Sequence, residues 1–352
     1  MRLTRHADVR RAAKDWQTFS SDLQGDPDVR DYRQLPLEVD PPAHRRYRDL
    51  LEPFFGRRSV GAMAPAIREA CEAEVHRFVT AGGGDAVHDL AFPVVLRSLA
   101  VAFRRTADLA EWRRWGIETW ITRPDGTRDG THLDRYLARV MTEARAQPDA
   151  SGDIFQRLAA AQIEGRPLDD DEFRGIAGLV LAGGRDTVIK LVAGAVWHLA
   201  RTPSDLAWLQ ADADRLDPAI EEWLRWLSPL PRMAREIRQP VEPPTAAVGD
   251  IVRLDFLAAN HDPDVYPEPE RLRLDRDPSG HLAFGSGPHT CIGAHLARVQ
   301  ANEVLGSLLH SVASLELAGP CDLVLEQVGA AEVPVVIRRV PVRVHVRRTA
   351  SK

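Results

Sequence analysis

The residues of greatest chemical potential in this chain lie in Phe284-Gly285-Ser286-Gly287-Pro288-His289-Thr290-Cys291-Ile292-Gly293. A helix-forming stretch, Ala294-His295-Leu296-Ala297-Arg298-Val299-Gln300-Ala301, follows directly. Glycines leave backbone N–H groups accessible and a helix N-terminus carries partial positive charge, so a thiolate is favoured at Cys291. Few chemistries need a thiolate with no second cysteine nearby, and axial ligation of haem iron is the foremost. Two blander readings compete. One is an ordinary buried cysteine in a glycine turn. The other is zinc held by His281, His289, Cys291 and His295, whose spacing matches no structural zinc pattern.

A second group lies in Leu179-Val180-Leu181-Ala182-Gly183-Gly184-Arg185-Asp186-Thr187-Val188, where the glycine pair is expected in mid-helix. Each glycine costs about 1 kcal/mol there relative to alanine. Something offsets that: a kink with a packing threonine, or close approach of a flat cofactor or a substrate. Asp186 and Thr187 add an acid and a hydroxyl at the same place. Glu222 and Arg225 fall at i and i+3 of another helix, on one face, and so can pair. Exposed pairs of this kind are common and weak. His44 and Arg48 lie one turn apart in Asp40-Pro41-Pro42-Ala43-His44-Arg45-Arg46-Tyr47-Arg48. Each alone reads as a surface residue.

Helices dominate the elements that position these groups. Helical periodicity runs from Ala43 to Trp226, broken by Ala81-Gly82-Gly83-Gly84 and Arg123-Pro124-Asp125-Gly126. After Pro229 the texture changes. Val241-Glu242, Ala247 to Leu254 and Leu323 to Val346 read as short strands, and residues 262–270 as a proline-rich extended loop. The expected fold is mainly α with a small β-sheet portion, one domain over residues 1–352. A formal net charge of -5 argues against nucleic acid as the main partner. Cys71, Cys291 and Cys321 are too sparse for a disulfide framework and fit a reducing, cytoplasmic setting. No apolar run is long enough to span a bilayer and the start is no signal peptide, so no membrane is expected. Lysine occurs only at Lys14, Lys190 and Lys352, a bias toward arginine that suggests a GC-rich bacterial genome.

The cysteine loop resembles the haem-binding loop of the cytochrome P-450 superfamily, Phe-Gly-x-Gly-x-His-x-Cys-x-Gly, at every specified position. The resemblance extends from Leu3-Thr4-Arg5-His6-Ala7-Asp8-Val9 to the final strands. It is greatest to the bacterial soluble class of the camphor-hydroxylating type, which Thr122-Arg123-Pro124-Asp125-Gly126 and Gly165-Arg166-Pro167 also fit. It implies haem b (iron protoporphyrin IX) as cofactor and Cys291 as the axial ligand of its iron. Phe284, Gly285 and Gly293 would shape the loop, and Ala182 and Gly183 would approach the cofactor. His44, Arg48, Arg235 and His289 would meet the haem propionates. Asp186 and Thr187 would deliver protons for oxygen activation, while Glu222 and Arg225 would lock the proline-rich segment to the core. Tyr32, Leu179, Pro231, Met233 and Val333 would face the substrate, with a plain surface tyrosine the alternative for Tyr32.

The implied activity is insertion of one oxygen atom of O2 into a small or mid-sized organic molecule, by hydroxylation or epoxidation, in bacterial secondary metabolism or catabolism. Electrons would come from a ferredoxin served by an NAD(P)H-dependent reductase, docking near Arg45, Arg46, Arg57, Arg58 and Arg298. The rivals are an oxidative-coupling or peroxide-driven oxidase, which Asp186 and Thr187 argue against, and a non-catalytic haem-binding protein. Two departures stand out. Family members carry an additional N-terminal helix and first strand, so the expected fold lacks that segment, through a misplaced gene start or an unusually short protein. Arg185 stands where an uncharged residue is usual and is expected to point away from the haem and pair with a carboxylate.

Overall fold

The computed structural model describes residues 1–25, 29–117, 121–123, 127–241 and 246–347. Pro124-Asp125-Gly126 and Glu242, assigned above to a turn and a strand, lie outside them, as does Lys352. The chain opens with β1 (Arg2–Leu3), α1 (His6–Lys14) and β2 (Phe19–Ser20), then forms α2 (Ala43–Phe55) and α3 (Arg57–Thr80). After β3 (Gly83–Asp85) come α4 (Phe92–Ala102), α5 (Leu109–Arg114), a hairpin of β4 (Ile121–Thr122) and β5 (Arg128–Asp129), α6 (Thr131–Ala146) and α7 (Ile154–Ala160). A second hairpin, β6 (Gln162–Ile163) and β7 (Arg166–Pro167), leads into α8 (Asp170–Gly183), α9 (Asp186–Arg201), α10 (Pro203–Gln210) and α11 (Leu216–Leu227). The remainder holds β8 (Arg232–Ile237), β9 (Ile251–Asp255), α12 (Phe256–Ala259), α13 (Ala294–Ser311), β10 (Val312–Leu317), β11 (Asp322–Val328), β12 (Ala331–Arg339) and β13 (Pro341–Val346). The fold is mainly helical with small sheets, as composition and periodicity led one to expect.

The sheets pull distant segments together. One has the order β1-β9-β8-β2, with β1 parallel to β9 and the other pairs antiparallel. A second has the order β10-β13-β3, and β11 and β12 form a hairpin. Three local expectations need correction. The helical half contains the β4–β5 and β6–β7 hairpins, whose two-residue strands are too short to show a period. Val241 forms only an isolated bridge to Ala246, and the strand expected from Ala247 begins at Ile251 because Gly249, at φ 90°, turns the chain first. The Gly183-Gly184 pair is not inside one helix: α8 stops at Gly183 and α9 starts at Asp186.

α9 shows why the body is organised as it is. From Val188 to Ala200 nearly every residue is buried, and a helix apolar on all sides must lie in the core. α3, α4 and α13 surround the same core, into which Ile67, Leu96, Val192, Trp223 and Leu305 project. A smaller core of Leu3, Val9, Phe19, Ile237, Leu254, Phe256 and Leu282 joins α1 to the first sheet and to the residues just before the cysteine loop. α8 begins with a capping box, in which Asp169 accepts from the Glu172 N–H at 2.8 Å and Glu172 accepts from the Asp169 N–H at 2.9 Å. Glu172 also accepts from Arg166 at 2.7 and 2.9 Å and from the Tyr47 hydroxyl at 2.9 Å, which ties α2 to the start of α8.

Candidate functional site

The cysteine loop is shaped by its backbone. The Cys291 N–H donates to the Phe284 carbonyl at 2.8 Å, closing the loop on itself. Gly285 and Gly287 adopt φ of 70° and 74°, a region open to glycine. A Cβ on Gly287 would lie 2.4 Å from the Ala13 carbonyl oxygen, so the loop also sits hard against the end of α1. The Cys291 side chain remains accessible, yet protein surrounds it closely enough that burial pushes its thiol pKa up, opposed by the Gly293 N–H and by Arg48 and Arg298. Arg298 does not extend freely from α13. It forms a two-point pair with Glu221 at 2.6 and 2.8 Å and lies 4.5 Å over the Phe284 ring. His281 is held by Glu221 at 3.0 Å. Among the described residues no cluster of three or more His, Cys, Asp or Glu is placed to hold a metal ion, so the zinc alternative finds no support.

Four basic side chains from three parts of the chain meet beside this loop. The His44 and His289 rings lie edge to face with centroids 4.4 Å apart. Arg48, one turn after His44 on α2, donates to the carbonyls of Pro288 and Thr290 at 3.1 and 2.6 Å. Arg235, on β8, is 4% exposed and donates to the neighbouring Ala234 carbonyl at 2.7 Å. Burial, together with Arg48, pulls His44 down to about 4. Burial with Arg235, His44 and Arg48 pulls His289 down to about 3. Burial lowers Arg235 to about 10, against the charge of Asp40. Nε2 of His44 and Nε2 of His289 are both buried without a hydrogen-bond partner. Orphaned buried nitrogens and an excess of buried positive charge are costly. A ligand bringing carboxylates would satisfy both, and a dicarboxylate porphyrin fits this residue set.

The helix break is the third component. Gly184 approaches Leu99 of α4, where a Cβ would come 3.1 Å from its Cδ2. Gly183 faces the other way: a Cβ there would meet only Leu179 Cδ1, at 3.9 Å. The offset that the glycine pair required is therefore a kink and an open face at once. The Thr187 hydroxyl donates to the Gly183 carbonyl at 3.3 Å, across the break, and Asp186 is exposed. Leu179, Ala182, Pro231 and Met233 are each half-buried. Val333 is fully enclosed in the main core, so it lines no accessible space in this structure. Tyr32 is not a surface residue: it is 2% exposed, its ring lies against Gly178, and the Arg174 guanidinium sits 4.4 Å over it. Arg185 departs from expectation. It is 2% exposed and is held by the Gly116 carbonyl and the face of Trp115 rather than by a carboxylate salt bridge.

Glu222 and Arg225 are both fully buried and form two bonds, at 2.7 and 2.8 Å. Arg225 also donates to the carbonyls of Asn260 and Pro269 at 2.7 and 3.1 Å. Glu222 accepts from the Arg273 N–H at 3.1 Å and from Arg276 Nε at 3.2 Å. The proline-rich segment is thus stitched to α11 from several points. Sequence reasoning missed Asn260. Its side-chain amide donates to Ser228 Oγ at 2.9 Å and accepts from the Leu282 N–H at 2.7 Å, linking the end of α11 to the approach to the cysteine loop. The only signal was a lone asparagine before Asp262-Pro263, which periodicity does not weigh.

Comparison with known proteins was made against this geometry. The Cytochrome P-450 family profile matches residues 127–312. The chain is 31% identical over 326 residues to the cytochrome P-450 monooxygenase PikC of Streptomyces venezuelae, covering 89% of this chain and 77% of that protein. It is 31% identical over 332 residues to the vitamin D(3) 25-hydroxylase of Pseudonocardia autotrophica, covering 90% and 81% respectively. Its fold superposes on the structure of a carbohydrate active cytochrome P-450 with a TM-score of 0.89 at 28% identity, covering 98% of this chain and 92% of the other.

Proposed function

Since the chain belongs to the cytochrome P-450 family, we propose that this monooxygenase hydroxylates or epoxidises a mid-sized, largely apolar organic molecule with electrons from a ferredoxin. The cofactor of the family and fold is haem b. When bound, the haem supplies the activation of dioxygen and the transfer of one oxygen atom to substrate. The observation that carries the reading is the accessible sulfur of Cys291 beside a buried basic cluster whose two imidazoles lack partners.

The protein's own part follows from its residues. Cys291 would hold iron as a thiolate, with the Gly293 N–H and the charges of Arg48 and Arg298 stabilising the anion. Arg48 and Arg235 would pair with the propionates as cations, and the neutral imidazoles of His44 and His289, each with an unpartnered Nε2, would hydrogen-bond to them. Phe284, capped by Arg298, would keep water from the sulfur once the haem is bound. At the helix break Thr187 would hold a proton at Oγ1, and exposed Asp186 would exchange protons with solvent at its carboxylate. Leu179, Ala182, Pro231 and Met233 orient an apolar substrate over the open face of Gly183. PikC and the vitamin D(3) 25-hydroxylase, both named for oxidation chemistry, support this class of activity.

The ferredoxin would meet Arg57 and Arg58, exposed in the first turn of α3, and Arg45 and Arg46 on α2. Arg45 and Arg46 also pair with Asp49 and Glu164 at 2.8 and 3.0 Å, and Arg298 is engaged by Glu221, so Arg57 and Arg58 carry most of the steering. Cys71, Cys291 and Cys321 are free, and among the described residues no helix is long and apolar enough to cross a membrane. The test is the reduced, carbon monoxide-treated spectrum of the haem-loaded protein. A long-wavelength band that Cys291→Ser abolishes is expected; full haem loading without that band would end the proposal.

A further inference from the structure

Lys190 is the one Lys, Arg, Asp or Glu between Val188 and Ala200, the stretch of α9 that lies in the core. It is 8% exposed. Its Nζ donates to the Pro229 carbonyl at 3.4 Å and forms no salt bridge among the described residues. An ammonium carries three N–H donors, so one long bond to a neutral acceptor leaves most of its capacity unused. Burial pulls Lys190 down to about 8, with Glu326 opposing the fall and Arg232 adding to it, and the side chain is still an ammonium at neutral pH. A buried cation without a counter-ion is costly, and a methionine would fill much the same volume without that cost.

The charges that act on Lys190 belong to a network that is already matched. Arg232 donates to Asp255 at 2.9 Å and pairs with Glu326. Arg2 pairs with Asp255 and lies 3.5 Å from Glu326. Asp255 also caps α12, accepting from the Ala258 N–H at 3.0 Å. Two carboxylates therefore face two guanidinium groups, and the charge of Lys190 is left over. A single unit of buried positive charge matches a carboxylate better than a phosphate dianion, whose second charge would stay unpaired.

Lys190 also stands beside the residues read above as substrate-facing. It follows Asp186 by four residues and Thr187 by three, and residues so spaced share one side of a helix. Its acceptor, Pro229, comes two residues before Pro231. Leu230, between them, is 43% exposed, and Pro231 and Met233 are half-buried. The ammonium thus sits where a partly open apolar segment meets the side of α9 that carries the acid–alcohol pair.

We propose that Lys190 is a specificity-determining residue that pairs with the carboxylate of the substrate, whose apolar body lies along Leu230, Pro231 and Met233. The inference rests on the reading of that segment as substrate-facing, and it narrows the substrate class to largely apolar monocarboxylic acids. The carboxylate would give the ammonium the acceptors it lacks and bring the local charge to balance.

The experiment uses haem-loaded wild type, Lys190→Met and Lys190→Gln. The probes are ω-(imidazol-1-yl)alkanoic acids of eight, ten and twelve carbons and their methyl esters, titrated by the shift of the haem absorption band. The imidazole binds iron in either form, so the acid and its ester differ only in what the far end meets. At the best chain length wild type should bind the acid about tenfold or more tighter than the ester. Lys190→Met should lose that preference while binding the ester and 4-phenylimidazole as wild type does, with no fall in thermal midpoint. Should Lys190→Met not retain haem, Lys190→Gln decides the matter, and loss of haem in both would make Lys190 a structural residue and overturn the assignment. Equal affinity for acid and ester at every length in a wild type with a normal carbon monoxide band, or an acid preference that survives in Lys190→Met, overturns the role of Lys190 alone. A wild type without that band overturns the functional reading instead.

Discussion

The cluster around Glu222 makes a quantitative prediction about two substitutions that look equivalent. Arg225→Leu removes the guanidinium but leaves Glu222 with the Arg273 N–H at 3.1 Å and Arg276 Nε at 3.2 Å. Glu222→Leu removes the carboxylate from both Arg225, which is fully buried, and Arg276, whose side chain is 7% exposed. Breaking a buried pair by deleting one partner costs about 3–5 kcal/mol. The compensated arginine variant should fall near the lower bound and the glutamate variant at or beyond the upper. Urea unfolding of the haem-loaded protein, followed by tryptophan fluorescence and far-UV circular dichroism, measures the difference. The double variant strands Arg276 alone and should be more stable than Glu222→Leu, a non-additivity of about 1–3 kcal/mol. An arginine variant as destabilised as the glutamate variant, or additive losses in the double, would refute the view that Glu222 is the hub.

Three further outcomes follow from the site. Arg235→Leu removes a buried cation from the basic cluster and should speed haem transfer to apomyoglobin about tenfold or more, while transfer at the wild-type rate would deny Arg235 a propionate. Thr187→Ala removes the hydroxyl that spans the break; product per NAD(P)H should fall while the carbon monoxide band stays, and unchanged coupling would remove the proton-holding role. Glu172 is held down to about 2, first by Arg166 and then, against burial, by the Asp169 N–H and Tyr47. Its folded pKa lies below the unfolded value, so its stabilisation is present above the usual carboxylate range and is lost as pH falls toward 2. Glu172→Gln should accordingly flatten the loss of stability measured by urea unfolding between pH 5 and pH 3, relative to wild type, over these roughly two units of acidification; parallel curves would contradict the assignment.

The cysteine loop was the most legible part of the sequence because its requirements are local. Positive φ at Gly285 and Gly287, a closing bond and a helix behind the sulfur all lie within a few residues. The convergence of His44, Arg48, Arg235 and His289 was legible only through family resemblance, because they come from α2, β8 and the loop, and no local rule brings those together. Arg185 was misjudged for the opposite reason. A carboxylate is the usual partner of a buried guanidinium, but a carbonyl and a ring face just past α5 took that place, and only the tertiary arrangement shows it. Val333 lies wholly within the main core, and nothing local in a strand residue tells whether it faces a cavity or the core. The two-residue strands of the hairpins carry too few alternations for any periodicity to register.

The two adjoining glycines at the helix break offer unequal freedom to anyone redesigning selectivity. Bulk added at Gly184 collides with Leu99 and would force α4 to move, whereas Gly183 has room beside it on the side that faces away from the packed interior. A library that varies only Gly183 would add bulk on that open side while leaving the scaffold that carries it alone.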